Sequence, residues 1–280
     1  MKLLRHGPKG QERPGLLDGE GVIRDLSAHV DDIAGDVLTP EGLARIAALD
    51  TSALPQVDPG TRLGPCVGRV GKFIGIGLNY ADHAAEAGMD LPSEPIVFSK
   101  FTSSISGPND DVEIPPGSQK TDWEVELGFV IGRGGRDIPE DRAMSHVAGY
   151  CIVNDVSERE WQAERGGSWD KGKGFDSFGP IGPWLVTTDE IADPQRLRMW
   201  LEVDGQRQQD GSTATMIFGV KTLLAYLSRC VSLQPGDVVA TGTPPGVGMG
   251  KKPPRFLRGG ETMRLGIEGL GEQRQMVTRR

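Results

Sequence analysis

The chain has 280 residues, 37% of them hydrophobic and 25% charged. That suits a folded globular protein with room for one large domain, or one domain with a smaller appendage, and excludes a disordered chain. A net charge of −8 with scattered basic residues argues against a nucleic-acid or anionic-membrane partner. No apolar run approaches the roughly 18 residues of a membrane span and no signal-peptide pattern opens the chain, so a cytoplasmic protein is expected.

Forty glycines and twenty prolines without a period indicate short strands joined by tight turns. Residues 1 to about 70 read as a small N-terminal unit. "KLLRHG" and "PGLLDGEGVIRDLS" suggest a strand meander turning at Asp18-Gly19 and Glu20-Gly21, followed by the helix "TPEGLARIAAL" with Thr39 as N-cap and Pro40 at its first position. From Gly71 onward, apolar strands alternate with loops and two further helices. In "NYADHAAEAGMDLP", a short helix from Asn79 or Asp82 to Gly88 would put His83 and Glu86, three apart, on one face. Such a carboxylate orients an imidazole and raises its basicity, as a general base requires, although an exposed helical pair has the same spacing.

"TDWEVELGFVIGR" (121–133) alternates as a strand, with Trp123, Val125, Leu127, Phe129 and Ile131 on one face and Asp122, Glu124 and Glu126 on the other. Alternation alone favours a solvated acidic face. The apolar residues on both faces beyond Gly128 point instead to a buried strand, in which carboxylates need a cation or protons. In "AGYCIVNDVSEREWQAERGG" a strand from Tyr150 to Asn154 leads into a helix capped by Ser157 and ending near Gly166, which leaves Asp155 at the junction. An all-oxygen set of Glu124, Glu126 and Asp155 would select Mg²⁺ or Mn²⁺, with Ca²⁺ admissible. Lys171 and Lys173 form a basic spot in a glycine-rich loop, where a lysine can meet an anionic substrate or simply stay solvated. "MIFGVKTLLAYLSRC" carries a helix with Val220, Leu223, Leu224 and Leu227 on its apolar side. It precedes the strand "VVATGTP", in which Thr241 and Thr243 could offer hydroxyls and backbone N–H groups to a carboxylate. Cys66, Cys151 and Cys230 lack paired spacing, and the apolar surroundings of Cys151 and Cys230 read them as small buried hydrophobes.

Several motif classes are closed. "GIGLNY" lacks the third glycine of a dinucleotide loop, "GTPPGVGMGKK" has the wrong spacing for a phosphate loop, "GGSWD" fails the nucleophile-elbow pattern, and no HExxH or paired-Cys zinc pattern occurs.

Six blocks, "GIGLNYADHAAEAG", "SISGPNDDVEIP", "DWEVELGFVIGR", "GYCIVNDVSERE", "KGKGFDSFGPIGPW" and "LQPGDVVATGTPPGVG", stand in the order seen in the fumarylacetoacetate hydrolase superfamily, and the resemblance spans about residues 70 to 270. It implies an α+β, β-rich fold: a mixed β-sandwich roll over 71–280, behind a small N-terminal α+β domain over 1–70. It also implies a divalent metal, usually a homodimer, and an E-x-E pair that makes Glu124 and Glu126 ligands with Asp155 as the third. His83 and Glu86 match the family's H-x-x-E pair on a lid. Arg159 and Gln162 match helix residues facing the substrate, Lys173 the active-site lysine, and Thr243 lies in the TGTP turn. Asp122 becomes a supporting group and not a ligand. "RGGETMRL" departs from the family by placing Glu261 where relatives have Gly-Asp before the last strand. The N-terminal unit is similar to the sugar-acid branch.

That branch implies metal-dependent hydrolysis of the C3–C4 bond of a 2,4-diketo acid, with 2,4-diketo-3-deoxy-L-rhamnonate yielding pyruvate and L-lactate as the expected case. Oxaloacetate decarboxylation, acylpyruvate hydrolysis, isomerisation and lyase chemistry on a related 2-keto acid remain alternatives, as does a 2-keto-acid binding protein.

Overall fold

The computed structural model describes residues 1–88 and 90–279. The longest ladder is a mixed sheet whose strands run, in spatial order, Ile23–Asp25, Arg13–Leu17, Lys2–His6, Gly179–Thr187, Val147–Asn154, Val125–Ile131, Val238–Ala240, Phe73–Gly77 and Ile96–Lys100. Most neighbours are antiparallel, but Val238–Ala240 runs parallel to Phe73–Gly77. A second, five-stranded sheet is ordered Gln206–Ser212, Arg198–Val203, Thr262–Ile267, Gly271–Arg279 and Val112–Ile114. The fold is thus α+β and β-rich, as the sequence implies.

All seven residues of Val125–Ile131 are buried. Leu127, Phe129 and Ile131 join a core with Met199, Leu201, Met263 and Leu265 of the five-stranded sheet. Val130 faces the other way, into a core shared with Leu26, Ile33, Leu38 and Ile46 of the N-terminal segment. The two-residue alternation therefore serves two apolar interfaces, which is why the strand is apolar on both faces. The helix Val220–Cys230 adds Val220, Leu223, Leu224 and Leu227 to the first core, as its spacing predicts.

The N-terminal meander forms with the expected turn, where Asp18 Oδ1 accepts from the backbone N–H groups of Glu20 and Val22. Its first strand pairs with Gly179–Thr187, Lys2 opposite Val186, so the meander continues the large sheet. Thr39 caps Pro40–Ala47 by accepting from the Gly42 N–H. Among the described residues no helix is long and apolar enough to cross a membrane.

Three local expectations need correction. Ser157 does not cap a helix: Ser157–Glu158 is a short strand on Thr121–Asp122, and the Ser157 hydroxyl donates to the Asp155 carbonyl. Glu158 supplies the cap, its Oε2 accepting from the Trp161 N–H, and a π-helical turn follows over Glu160–Glu164. The segment around Lys171 and Lys173 is not an open loop but a short helix, Trp169–Lys173. Cys230 is exposed, because the last turn of its helix turns that side to solvent, whereas Cys66 and Cys151 are buried.

Candidate active site

The antiparallel register between Val125–Ile131 and Val147–Asn154 places Glu126 opposite Val153 and Val125 opposite Asn154. One step further the Asp155 N–H donates to the Glu124 carbonyl at 2.9 Å, so Asp155 lies across from Glu124. Directly opposed residues share a face. The side chains of Glu124, Glu126 and Asp155 consequently converge, with ligand oxygens within 4.8 Å of one another and all three residues buried.

Cations compensate two of the three. Lys173 Nζ donates to Glu124 Oε2 at 2.8 Å and to Asp155 Oδ2 at 2.7 Å. Arg159 lies 2.7 Å from Glu124 Oε1 through Nη2, an ion pair by distance that lacks hydrogen-bond alignment. Its Nε donates to Asp122 Oδ2 at 2.9 Å and its Nη1 to Gln162 Oε1 at 3.0 Å. Burial by itself would raise the Glu124 carboxyl, but Lys173 and Arg159 override it and hold the group well below the usual range. Burial likewise opposes the charge on Lys173, yet Asp155 and Glu124 raise its pKa and keep it an ammonium.

Glu126 is different. It accepts from the Gly242 N–H at 2.8 Å, but burial and the neighbouring Asp155 and Glu124 charges push its carboxyl well above the ordinary range. Gly242 meets it with a backbone at φ +93°, a conformation that favours glycine. The trio is short of positive charge at Glu126, while Lys173 already bridges the other two as a cation would. A buried, all-carboxylate oxygen set fits a hard divalent ion, Mg²⁺ or Mn²⁺.

The remaining anticipated residues line one cavity of about 140 Å³: His83, Arg159, Gln162, Lys173 and Thr243 share it with Glu124 and Glu126. His83 and Glu86 do lie on one face of the helix Ala81–Ala87, with Nδ1 3.2 Å from Glu86 Oε2, which also accepts from the Gly246 N–H. His83 is buried and the Glu86 side chain is partly exposed. Thr243 spends its hydroxyl internally, donating to the Val125 carbonyl and accepting from Gln209. Thr241 does the same towards the Leu127 carbonyl. Asp122 is a support, accepting from the N–H groups of Trp123, Gly248 and Met249 as well as from Arg159. Lys171 turns away, to the Arg165 carbonyl. Glu261 accepts from the N–H groups of Arg258 and Gly259 in the turn before its strand, away from this cavity.

One residue escaped the sequence reading. Lys100 is 1% exposed and donates to Asp155 Oδ1 at 2.6 Å and to the Lys173 carbonyl. Burial lowers its pKa against the opposing pull of Asp155. The signal was present in "IVFSK": alternation puts Lys100 on the same face as Ile96 and Phe98, a cation where the strand expects an apolar side chain.

Comparison with known proteins agrees with this architecture. Residues 72–278 match the family described as fumarylacetoacetate (FAA) hydrolase C-terminal. A Burkholderia cenocepacia (strain HI2424) protein named "Putative hydrolase" is 70% identical over 276 residues, covering 98% of each chain. The structure of a fumarylacetoacetate hydrolase from psychrophilic Exiguobacterium antarcticum superimposes with a TM-score of 0.87 at 36% identity, over 100% of both chains. A maleylpyruvate hydrolase from Sphingobium sp. SYK-6, solved with manganese(II) and pyruvate, does so at 0.83 and 27%, over 100% of this chain and 99% of its own. In sequence, fold and the order of its motifs, the chain is a member of the fumarylacetoacetate hydrolase family.

Proposed function

We propose that the protein is a metal-dependent hydrolase that cleaves the C3–C4 bond of a 2,4-diketo acid and releases pyruvate. The observation that carries this reading is the buried cluster of Glu124, Glu126 and Asp155, opening into the same cavity as His83 and Lys173. A divalent ion held by these carboxylates would supply Lewis-acid polarisation of the 2-keto group and stabilise enolate charge. His83, oriented by Glu86, takes a proton from water so that the oxygen can attack the C4 carbonyl. Lys173 and Arg159 place fixed positive charge where the substrate carboxylate and the departing pyruvate enolate develop negative charge. Lys100 holds Asp155 from behind and leaves its other oxygen facing the cluster. The manganese and pyruvate in the Sphingobium neighbour support this chemistry by analogy. Within the class, we propose 2,4-diketo-3-deoxy-L-rhamnonate, cleaved to pyruvate and L-lactate, on the similarity to the sugar-acid branch.

The test is pyruvate release from a panel of 2,4-diketo acids with Mn²⁺ or Mg²⁺. Activity is expected to vanish with EDTA and with Glu126→Ala. Release of pyruvate that survives both treatments refutes the metal assignment, and no release from any member refutes the hydrolase reading.

A further inference from the structure

The cavity that holds the charged centre is not charged throughout. Besides the polar residues already described, it is lined by Leu78, Phe98, Ala163, Trp169 and Met249. Ala163 and Met249 are exposed at its rim, Leu78 and Trp169 are half-buried, and Phe98 is buried. Phe98 and Trp169 pack with ring centroids 5.6 Å apart and planes tilted by 54°, and they lie over the strand Phe73–Gly77 only because two of its positions lack a side chain. A Cβ on Gly75 would come within 2.2 Å of the Phe98 ring, and one on Gly77 within 2.3 Å of Trp169. Leu78, next in the chain, sits at φ +50°, an uncommon conformation for a branched side chain and one that recurs at functional sites. Asn79 holds it there: its side chain donates to the Phe218 and Thr241 carbonyls and accepts from the Phe218 N–H. The chain thus accepts backbone strain and omits two side chains to build an apolar wall beside a strongly ionic base.

Among the described residues of this lining, the fixed cations are Arg159 and Lys173, and both are already ion-paired to the acidic cluster. Nothing else in the lining offers a permanent positive charge to a second anionic group. A carboxylate brought against Phe98, Trp169 and Leu78 would lose water without gaining a partner, whereas an alkyl or aryl group would gain burial.

We propose that Leu78, Phe98, Trp169 and Met249 select 2,4-diketo acids whose group beyond C4 is uncharged, and that the protein rejects those carrying a second carboxylate. This rests on the reading that the site binds a 2-keto acid at the Glu124–Glu126–Asp155 centre. It separates the protein from a maleylpyruvate hydrolase such as the Sphingobium neighbour, whose substrate bears a second carboxylate. A 2,4-diketo-3-deoxy-L-rhamnonate, whose far end is a hydroxyethyl group, satisfies the condition.

The experiment is calorimetric binding to the Mn²⁺-loaded full chain of two unreactive 2-keto acids of equal length, 2-oxopentanoate and 2-oxoglutarate. 2-Oxopentanoate is expected to bind at least tenfold more tightly, about 1.4 kcal/mol. Equal or tighter binding of 2-oxoglutarate overturns the inference, while pyruvate release from 2,4-diketo acids would still leave the hydrolase reading standing. Failure of both ligands to bind overturns the inference, and the hydrolase reading falls with it only if no 2,4-diketo acid releases pyruvate. Met249 is 47% exposed, so Met249→Arg is compatible with the fold, and it is expected to lower the preference at least threefold. An unchanged ratio overturns the assignment of the wall as the determinant.

Discussion

Glu126→Gln separates charge from shape at the candidate metal centre. In the metal-free protein Glu126 is buried beside two carboxylates, and its carboxyl is pushed well above the ordinary value of 4.5. A carboxyl whose folded-state pKa is raised contributes stability fully below its unfolded value and loses it as pH rises through the folded value. At pH 7 the unfolded chain has ionised this group, whereas burial and the neighbouring Asp155 and Glu124 charges oppose its ionisation in the folded state, a cost that grows with pH. Glutamine keeps the shape and can still accept from the Gly242 N–H, but carries no charge to suppress. The substitution should therefore stabilise the metal-free protein by about 1–3 kcal/mol at pH 7. That corresponds to a rise in Tm of up to roughly 10 °C. The gain should be near zero at pH 4.5 and grow as pH rises. Calorimetry in EDTA across that range, with a parallel Mn²⁺ titration, reads both sides: higher metal-free stability and weaker metal binding. A Tm that falls at pH 7, or a difference independent of pH, would refute the account of Glu126 as a carboxylate short of a cation.

Two further outcomes follow from the same geometry. Lys173→Met strips Glu124 and Asp155 of their shared cation and should destabilise the metal-free protein by about 3–5 kcal/mol. Mn²⁺ should restore part of that loss by binding the folded state, read as a larger Mn²⁺-induced Tm shift than in the parent. His83→Ala should reduce pyruvate release by about 10²–10⁴-fold with little change in Mn²⁺ affinity, because His83 lines the cavity but is not among the clustered carboxylates. Steady-state rates and metal titration on the same preparation check this, and persistent hydrolysis removes His83 from the water-activating role.

Several features were legible in the sequence because they are local. The alternation of "WEVELGFVI" placed Glu124 and Glu126 on one face, the apolar residues beyond Gly128 marked a buried strand, and the three-residue spacing put His83 beside Glu86. The Thr39 cap and the Val220–Cys230 helix were equally short-range. The ordered motif blocks added the family and its fold. The capping pattern at Ser157 misled because strand pairing with Thr121–Asp122 competes for the same residues, and tertiary pairing outweighs a local cap.

What only the tertiary structure decided is how distant segments meet. The ladder register brings Asp155 across from Glu124, and the short helix Trp169–Lys173 carries Lys173 between them, turning a surface-like lysine into a buried cation. Lys100 and Phe98, on one strand, meet Asp155 and Trp169 from segments far apart in sequence, and the fit of the two rings depends on the missing side chains at Gly75 and Gly77. Spacing along a chain fixes which residues share a face over a few positions. Whether that face meets water, a cation or an apolar wall depends on long-range pairing and burial, which only the folded arrangement specifies.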